Sequence, residues 1–228
     1  MDFSISYTTD KKRLQSVIET AAHLGSSTVA INYVVDLEQN KQEIGKPKCV
    51  SELFGTFPIV QGKSRPIKVL NRLTVVASRA AHFKPLREYK AYDLVAAYPK
   101  TEKLFHAACM EFTIDIICVA ATEKQPFFFK RSSVNGAIER GVFFEVSYTP
   151  AIRDSMRRHT IANALNLMEA CKGKNVIVTI GAERCDGANL CHCYYPERCP
   201  EAYCLACQKK MAKLLSHPTV EPSTYMEK

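Results

Sequence analysis

The sequence has no tryptophan among its 228 residues and only six histidines. Sparse histidine bears on function. A metal-dependent hydrolase gathers several His, Asp or Glu ligands at one place, whereas His23, His82, His106 and His159 are scattered singly. Glycine is missing where a dinucleotide fold needs it: Tyr7-Thr8-Thr9-Asp10-Lys11, after the first strand-like segment, has none, which weakens a Rossmann reading. No apolar run approaches the roughly 18 residues of a membrane span. The start, Met1-Asp2-Phe3-Ser4, lacks the basic-then-apolar order of a signal peptide. A cytosolic or nuclear chain with reduced cysteines is expected, and a disulfide framework is not.

What is present is unevenly spread. Lys plus Arg number 31 and Asp plus Glu 23, a net charge of +8. Residues 185–228 carry five of each sign, so the whole excess lies in residues 1–184. Cysteine runs the other way. Of ten, only Cys49, Cys109, Cys118 and Cys171 precede residue 185. The chain therefore reads as a basic globular segment, 1–184, and a neutral cysteine-rich tail, 185–228, poorly ordered or forming one short helix.

The first segment alternates strand and helix patterns. Short apolar, β-branched runs fall at 3–7, 28–35, 72–77, 92–98, 114–121, 142–149 and 175–180. Several are apolar nearly throughout, as parallel strands covered on both faces are. Between them, Leu14, Val17, Ile18 and Ala21 repeat at helical spacing after Asp10, a candidate N-cap, and before Gly25, a candidate C′ residue. Leu104, Phe105, Ala108 and Cys109 form a second stripe, 134–140 a short third helix, and Ile161, Ala164, Leu165 and Met168 a fourth stripe with Thr160 before it. Residues 51–57 suit a helical turn or two. Seven β/α units leave two architectures open, an open doubly wound sheet or a barrel one unit short of the closed eightfold form.

In a barrel, chemistry sits at the C-terminal ends of the strands. Asp36 and Glu123 there are candidate paired carboxylates, although separate loops suit solvated or ion-paired groups better. The rim reads instead as basic. From Val60 to Lys90 there are eight cations and one acid, Glu88. Candidate phosphate contacts are Lys63, Arg65, Lys68, Lys100, Lys103, Lys124, Lys130, Arg131, Arg157 and Arg158. Cations on loops attract a phosphate backbone and release its counterions. Phe127-Phe128-Phe129 precedes Lys130. At least two of these rings are expected in the core, while an outward ring can stack on an unpaired base.

Five stretches carry a family likeness: Val50-Ser51-Glu52-Leu53-Phe54, Phe57-Pro58-Ile59-Val60-Gln61-Gly62-Lys63-Ser64-Arg65-Pro66-Ile67-Lys68, Pro99-Lys100-Thr101-Glu102-Lys103-Leu104-Phe105-His106, Phe129-Lys130-Arg131 and Ala164-Leu165-Asn166-Leu167-Met168. Through them, residues 1–184 closely resemble the thirty-kilodalton protein subunit of nuclear ribonuclease P and ribonuclease MRP. The resemblance implies an α/β fold, a TIM-like barrel related to the polymerase-and-histidinol-phosphatase metallohydrolases. Those relatives open with His-x-His on the first strand, where this chain has Phe3-Ser4-Ile5-Ser6. It thus implies a noncatalytic subunit with no cofactor of its own. An RNA using magnesium frees tRNA 5′ ends, and rRNA is processed through the MRP enzyme. The implied partners are the ribonuclease P and MRP RNAs, other protein subunits, notably the small ferredoxin-like one, and precursor tRNA indirectly, with no membrane contact. The implied location is the nucleus and nucleolus.

The likeness ends near Arg184, before the closing strand expected of the family. The barrel is accordingly expected to be incomplete, with open edges on its first and seventh strands, and to fold less stably than a complete member. In the tail, Cys191, Cys193, Cys204 and Cys207 have spacings that can hold a tetrahedral zinc, although no metal is expected overall. A metal-dependent phosphoesterase on the same barrel and a zinc-binding adaptor are the alternative functions.

Overall fold

The computed structural model describes residues 1–36, 44–83, 87–120, 122–147, 149–152 and 154–180. All seven expected strands are there: β1 (Asp2–Ser6), β2 (Thr28–Asp36), β3 (Lys68–Ala77), β4 (Leu94–Pro99), β5 (Ile116–Cys118), β6 (Phe143–Ser147) and β7 (Val176–Thr179). They pair parallel, in chain order. Parallel neighbours need a crossover, and four helices provide crossovers among the described residues: α1 (Lys11–His23), α2 (Glu102–Met110), α3 (Arg131–Glu139) and α4 (Asp154–Cys171).

Side chains alternate between the two faces of each strand, and here both faces are buried. The inner set curls into a ring, in which Phe3, Ala30, Leu70, Leu94, Ala96, Ile116, Phe143 and Ile177 form one cluster. First and last strands thus meet, and the sheet is a nearly closed barrel. Paired strands run from β1 to β7 with no ladder joining those two among the described residues, so a seam lies between them there.

The outer set packs under the helices. Leu14, Val17, Ile18 and Ala21 of α1 cover Val29 and Ile31 of β2. Complete burial of such a side chain contributes about 1.5–3 kcal/mol. Asp10 caps α1, its Oδ1 accepting from the Arg13 backbone N–H at 3.2 Å, and Gly25 ends it at φ +82°. That conformation is costly for any residue with a Cβ.

Several expected boundaries move. β3 begins four residues before 72, because Lys68 to Asn71 pair with Thr28 to Ile31 of β2. β5 is confined to three residues, since β4 and β6 bond it only there. Residues 51–57 give just a 3-10 turn, Val50–Glu52. α4 also starts earlier than its apolar stripe, and Thr160 lies inside it, donating to the Met156 carbonyl at 3.1 Å.

Candidate nucleic-acid interface

The middle of the barrel interior holds an ion pair. Arg72 of β3 points inward and is fully buried. Its Nη1 and Nη2 donate to Oε1 and Oε2 of Glu145 on β6, each at 2.6 Å. Nη1 also donates to the Phe3 carbonyl of β1 at 2.8 Å, and Nε to Thr74 Oγ1 at 3.1 Å. The Cys118 thiol stands 3.1 Å from Nη2, and Thr74 donates to Asn32 Oδ1 at 2.6 Å. Burial opposes the charge on Arg72, but Glu145, Cys118 and Asp2 together hold the guanidinium above its ordinary range. Burial likewise works to raise Glu145, and Arg72 pulls it below the usual carboxylate range. Burial pushes the Cys118 thiol well up. With both oxygens of Glu145 taken by a guanidinium, that carboxylate is not free to hold a metal. Among the described residues no three His, Cys, Asp or Glu side chains converge on one point.

Outside that core, the predicted cations divide between the two ends of the barrel. Lys100, Lys103 and Lys124 follow strands β4 and β5 and lie exposed at the C-terminal end. Lys130, Arg131, Arg157 and Arg158 are exposed at the start of α3 or in the first turns of α4. Several are already engaged. Lys100 pairs with Asp36 at 3.2 Å, Lys130 with Glu102 at 2.8 Å and Arg131 with Glu169 at 3.7 Å. Arg157 Nε donates to the Ala151 carbonyl at 2.9 Å. Such exposed pairs contribute about 0–1 kcal/mol and give way readily to a phosphate. Asp36 is thereby ion-paired rather than one half of a carboxylate dyad with the exposed Glu123. Lys103, Lys124 and Arg158 make no ion pair among the described residues.

Lys63, Arg65 and Lys68 correct the sequence reading, which placed them on the same rim. The chain runs back along the barrel after β2 and starts β3 at Lys68. Residues just before a parallel strand lie at its N-terminal end. These three exposed cations are therefore at the opposite end from Lys100 and Lys124.

The phenylalanine triplet splits as alternation dictates. Phe127 and Phe129 both pack on Phe105, with ring centroids 5.3 Å away. Phe128, between them, is 88% exposed, an aromatic face beside Lys130 and Arg131. The loop that carries Lys124 is fixed from behind by buried Asn163 of α4. Its Nδ2 donates to the Ala120 and Glu123 carbonyls, each at 2.8 Å, and its Oδ1 accepts from the Gln125 N–H at 3.1 Å. Asn163 escaped the sequence reading, and Arg72, counted there among the eight cations of the basic rim, is instead buried inside the barrel. In each case the signal was a polar residue at a core position of an apolar pattern. Arg140 shows the reverse, a cation with purely structural work. It donates to the Ala108, Cys109 and Phe112 carbonyls and so closes the C-terminal end of α2. The four tail cysteines at 191, 193, 204 and 207 lie outside the described residues.

Comparison with known proteins agrees with this geometry. The family model described as RNase P subunit p30 matches residues 1–185. The chain is 57% identical over 188 residues to "Ribonuclease P protein subunit p30" of Mus musculus, covering 80% of this chain and 70% of that one. It is 30% identical over 168 residues to "Probable ribonuclease P protein subunit 3" of Schizosaccharomyces pombe, covering 73% and 67%. Among solved structures, a chain of archaeal ribonuclease P with mature tRNA superposes with a TM-score of 0.59 at 13% identity, covering 99% of this chain and 100% of that one. At that identity the likeness is one of fold.

Proposed function

Because this chain belongs to the RNase P subunit p30 family, we propose that it serves ribonuclease P as a noncatalytic subunit bracing an RNA that performs the hydrolysis. The observation that carries this reading is the family match over residues 1–185. The interior supports the noncatalytic part, since Arg72 occupies both oxygens of the buried Glu145 carboxylate. Magnesium then belongs to the RNA, and the work of this chain is electrostatic and mechanical. Its cations neutralise phosphates while a rigid barrel fixes their spacing.

One relative, from Saccharomyces cerevisiae, is named "Ribonuclease P/MRP protein subunit RPP1". We extend the proposal to the MRP particle on that basis, and with it to rRNA processing and to residence in the nucleus and nucleolus. Other protein subunits, a small ferredoxin-like one among them, complete the proposed assembly. The test is affinity capture of this full chain from cells, probed for the ribonuclease P and MRP RNAs. Recovery of either RNA with associated tRNA 5′-processing activity is the expected result. Absence of both leaves the fold and removes the function.

A further inference from the structure

The stretch before β3 is a built hairpin. Ile59 and Pro66 face each other across an antiparallel bridge. Val60 N donates to the Arg65 carbonyl at 3.1 Å, Lys63 N to the Val60 carbonyl at 3.0 Å and Ile67 N to the Pro58 carbonyl at 3.0 Å. Gly62 turns the tip at φ +71°. Two buried anchors, Val60 and Ile67, hold its base in the cluster under α1. Gln61 N donates to the Ala22 carbonyl at 2.9 Å and ties the tip to the end of that helix. Everything that anchors the hairpin is apolar or backbone. What it exposes is Lys63, Ser64 and Arg65, together with Ile59, which is 69% exposed.

The charge there is not neutralised nearby in the chain. No acid occurs between Glu52 and Glu88, and neither Lys63 nor Arg65 makes an ion pair among the described residues. β3 separates this hairpin from the C-terminal mouth with its ten residues, roughly 30 Å at about 3.3 Å per residue. The two basic ends face opposite ways, so an RNA element docked on one end face does not lie on the other.

We propose that the Lys63–Arg65 hairpin is a second RNA contact, a preformed finger that grips phosphates of a different RNA segment from the one held by Lys103 and Lys124. The barrel then acts as a spacer between two parts of one folded RNA. The inference rests on the ribonuclease P reading and names what this surface does within it. The contact is to backbone rather than bases, because two cations and a hydroxyl on a tight tip meet phosphate oxygens without a platform for stacking. A hairpin already fixed by its own hydrogen bonds loses little freedom on binding.

The test is hydroxyl-radical footprinting of in vitro transcribed ribonuclease P RNA, assembled with its protein subunits around the full chain. Lys63→Glu with Arg65→Glu is compared with Lys103→Glu with Lys124→Glu. All four side chains are exposed, and Lys63→Gln with Arg65→Gln serves as the charge-neutral version. The hairpin pair is expected to erase protection at one RNA segment and the second pair at another. The Gln version is expected to lower the slope of log K against log salt by about 1.4–1.8, from roughly 0.7–0.9 per phosphate contact. A wild-type footprint and slope in the hairpin variants overturns the proposal, and so does loss of the same segment by both pairs. If the unsubstituted chain protects no RNA, the subunit reading itself fails, which is a different result.

Discussion

Arg72 heads the fully buried side chains by volume, and it carries a charge. A guanidinium bonded to a carboxylate, a carbonyl and a hydroxyl is well satisfied, so its worth shows only when one partner is removed. Arg72→Ala strands Glu145 in the barrel and is expected to cost about 3–5 kcal/mol in urea unfolding, whereas Arg72→Met with Glu145→Leu recovers most of it. Acid adds a second readout. Glu145 is held below the ordinary carboxylate range, so its contribution is complete above the unfolded value of about 4.3 and is lost as pH falls through the folded one. Asp2 has the opposite sign. Burial raises its carboxyl, so the cost of its charge is relieved on acidification. Thermal melts between about pH 7 and pH 3 are expected to show a steep acid loss in the unsubstituted chain. The Met/Leu double variant should show a shallower loss, and equal slopes would contradict the assignment.

Among the elements, the 127–129 segment gives the cleanest contrast between core and surface. Phe127→Ala and Phe129→Ala each remove a ring from Phe105 and are expected to cost about 2–3 kcal/mol, a little below a fully buried phenylalanine. Phe128→Ala is expected to leave stability within about 0.5 kcal/mol while weakening RNA binding in a filter or gel-shift titration. Most elements were legible in the sequence because period and cap agreed, as in α1 between Asp10 and Gly25. The sevenfold strand count also followed from local pattern. What local pattern did not hold was length and direction. β3 gains its first four residues from a partner strand, and no side chain in Lys68 to Asn71 advertises that pairing. The hairpin cations were visible as charge, but which end of the barrel they occupy depends on the path of the whole 44–67 segment.

For the whole molecule, strand pairing is unequal around the ring. β3 is bonded along its length, to nine residues of β2 and six of β4, while β1 and β7 meet without a ladder among the described residues. Native-state hydrogen exchange is expected to protect central β3 amides up to the global unfolding limit. Amides of β1 and β7 that face the seam should exchange by smaller openings. Uniform protection across all seven strands would mean that the seam is closed in solution. The family resemblance supplied the barrel itself, since alternating β/α units alone were equally compatible with an open sheet.

The cross-barrel bond of Arg72 also sets an order of events during synthesis. Its two ionic partners are 73 residues apart in the chain. At about 5–20 residues per second, Arg72 leaves the ribosome roughly 4–15 s before Glu145 does. For that interval the amino-terminal strands can offer it the Phe3 carbonyl, Thr74 and the Asp2 carboxylate nearby, but not its bidentate partner. The first half of the barrel therefore waits with its inward guanidinium short of its two-oxygen partner, and stays wet there, until β6 arrives. Sealing of the interior is tied to completion of the sixth strand, and a chain stalled before it should be marked by an open, hydrated and protease-sensitive half-barrel.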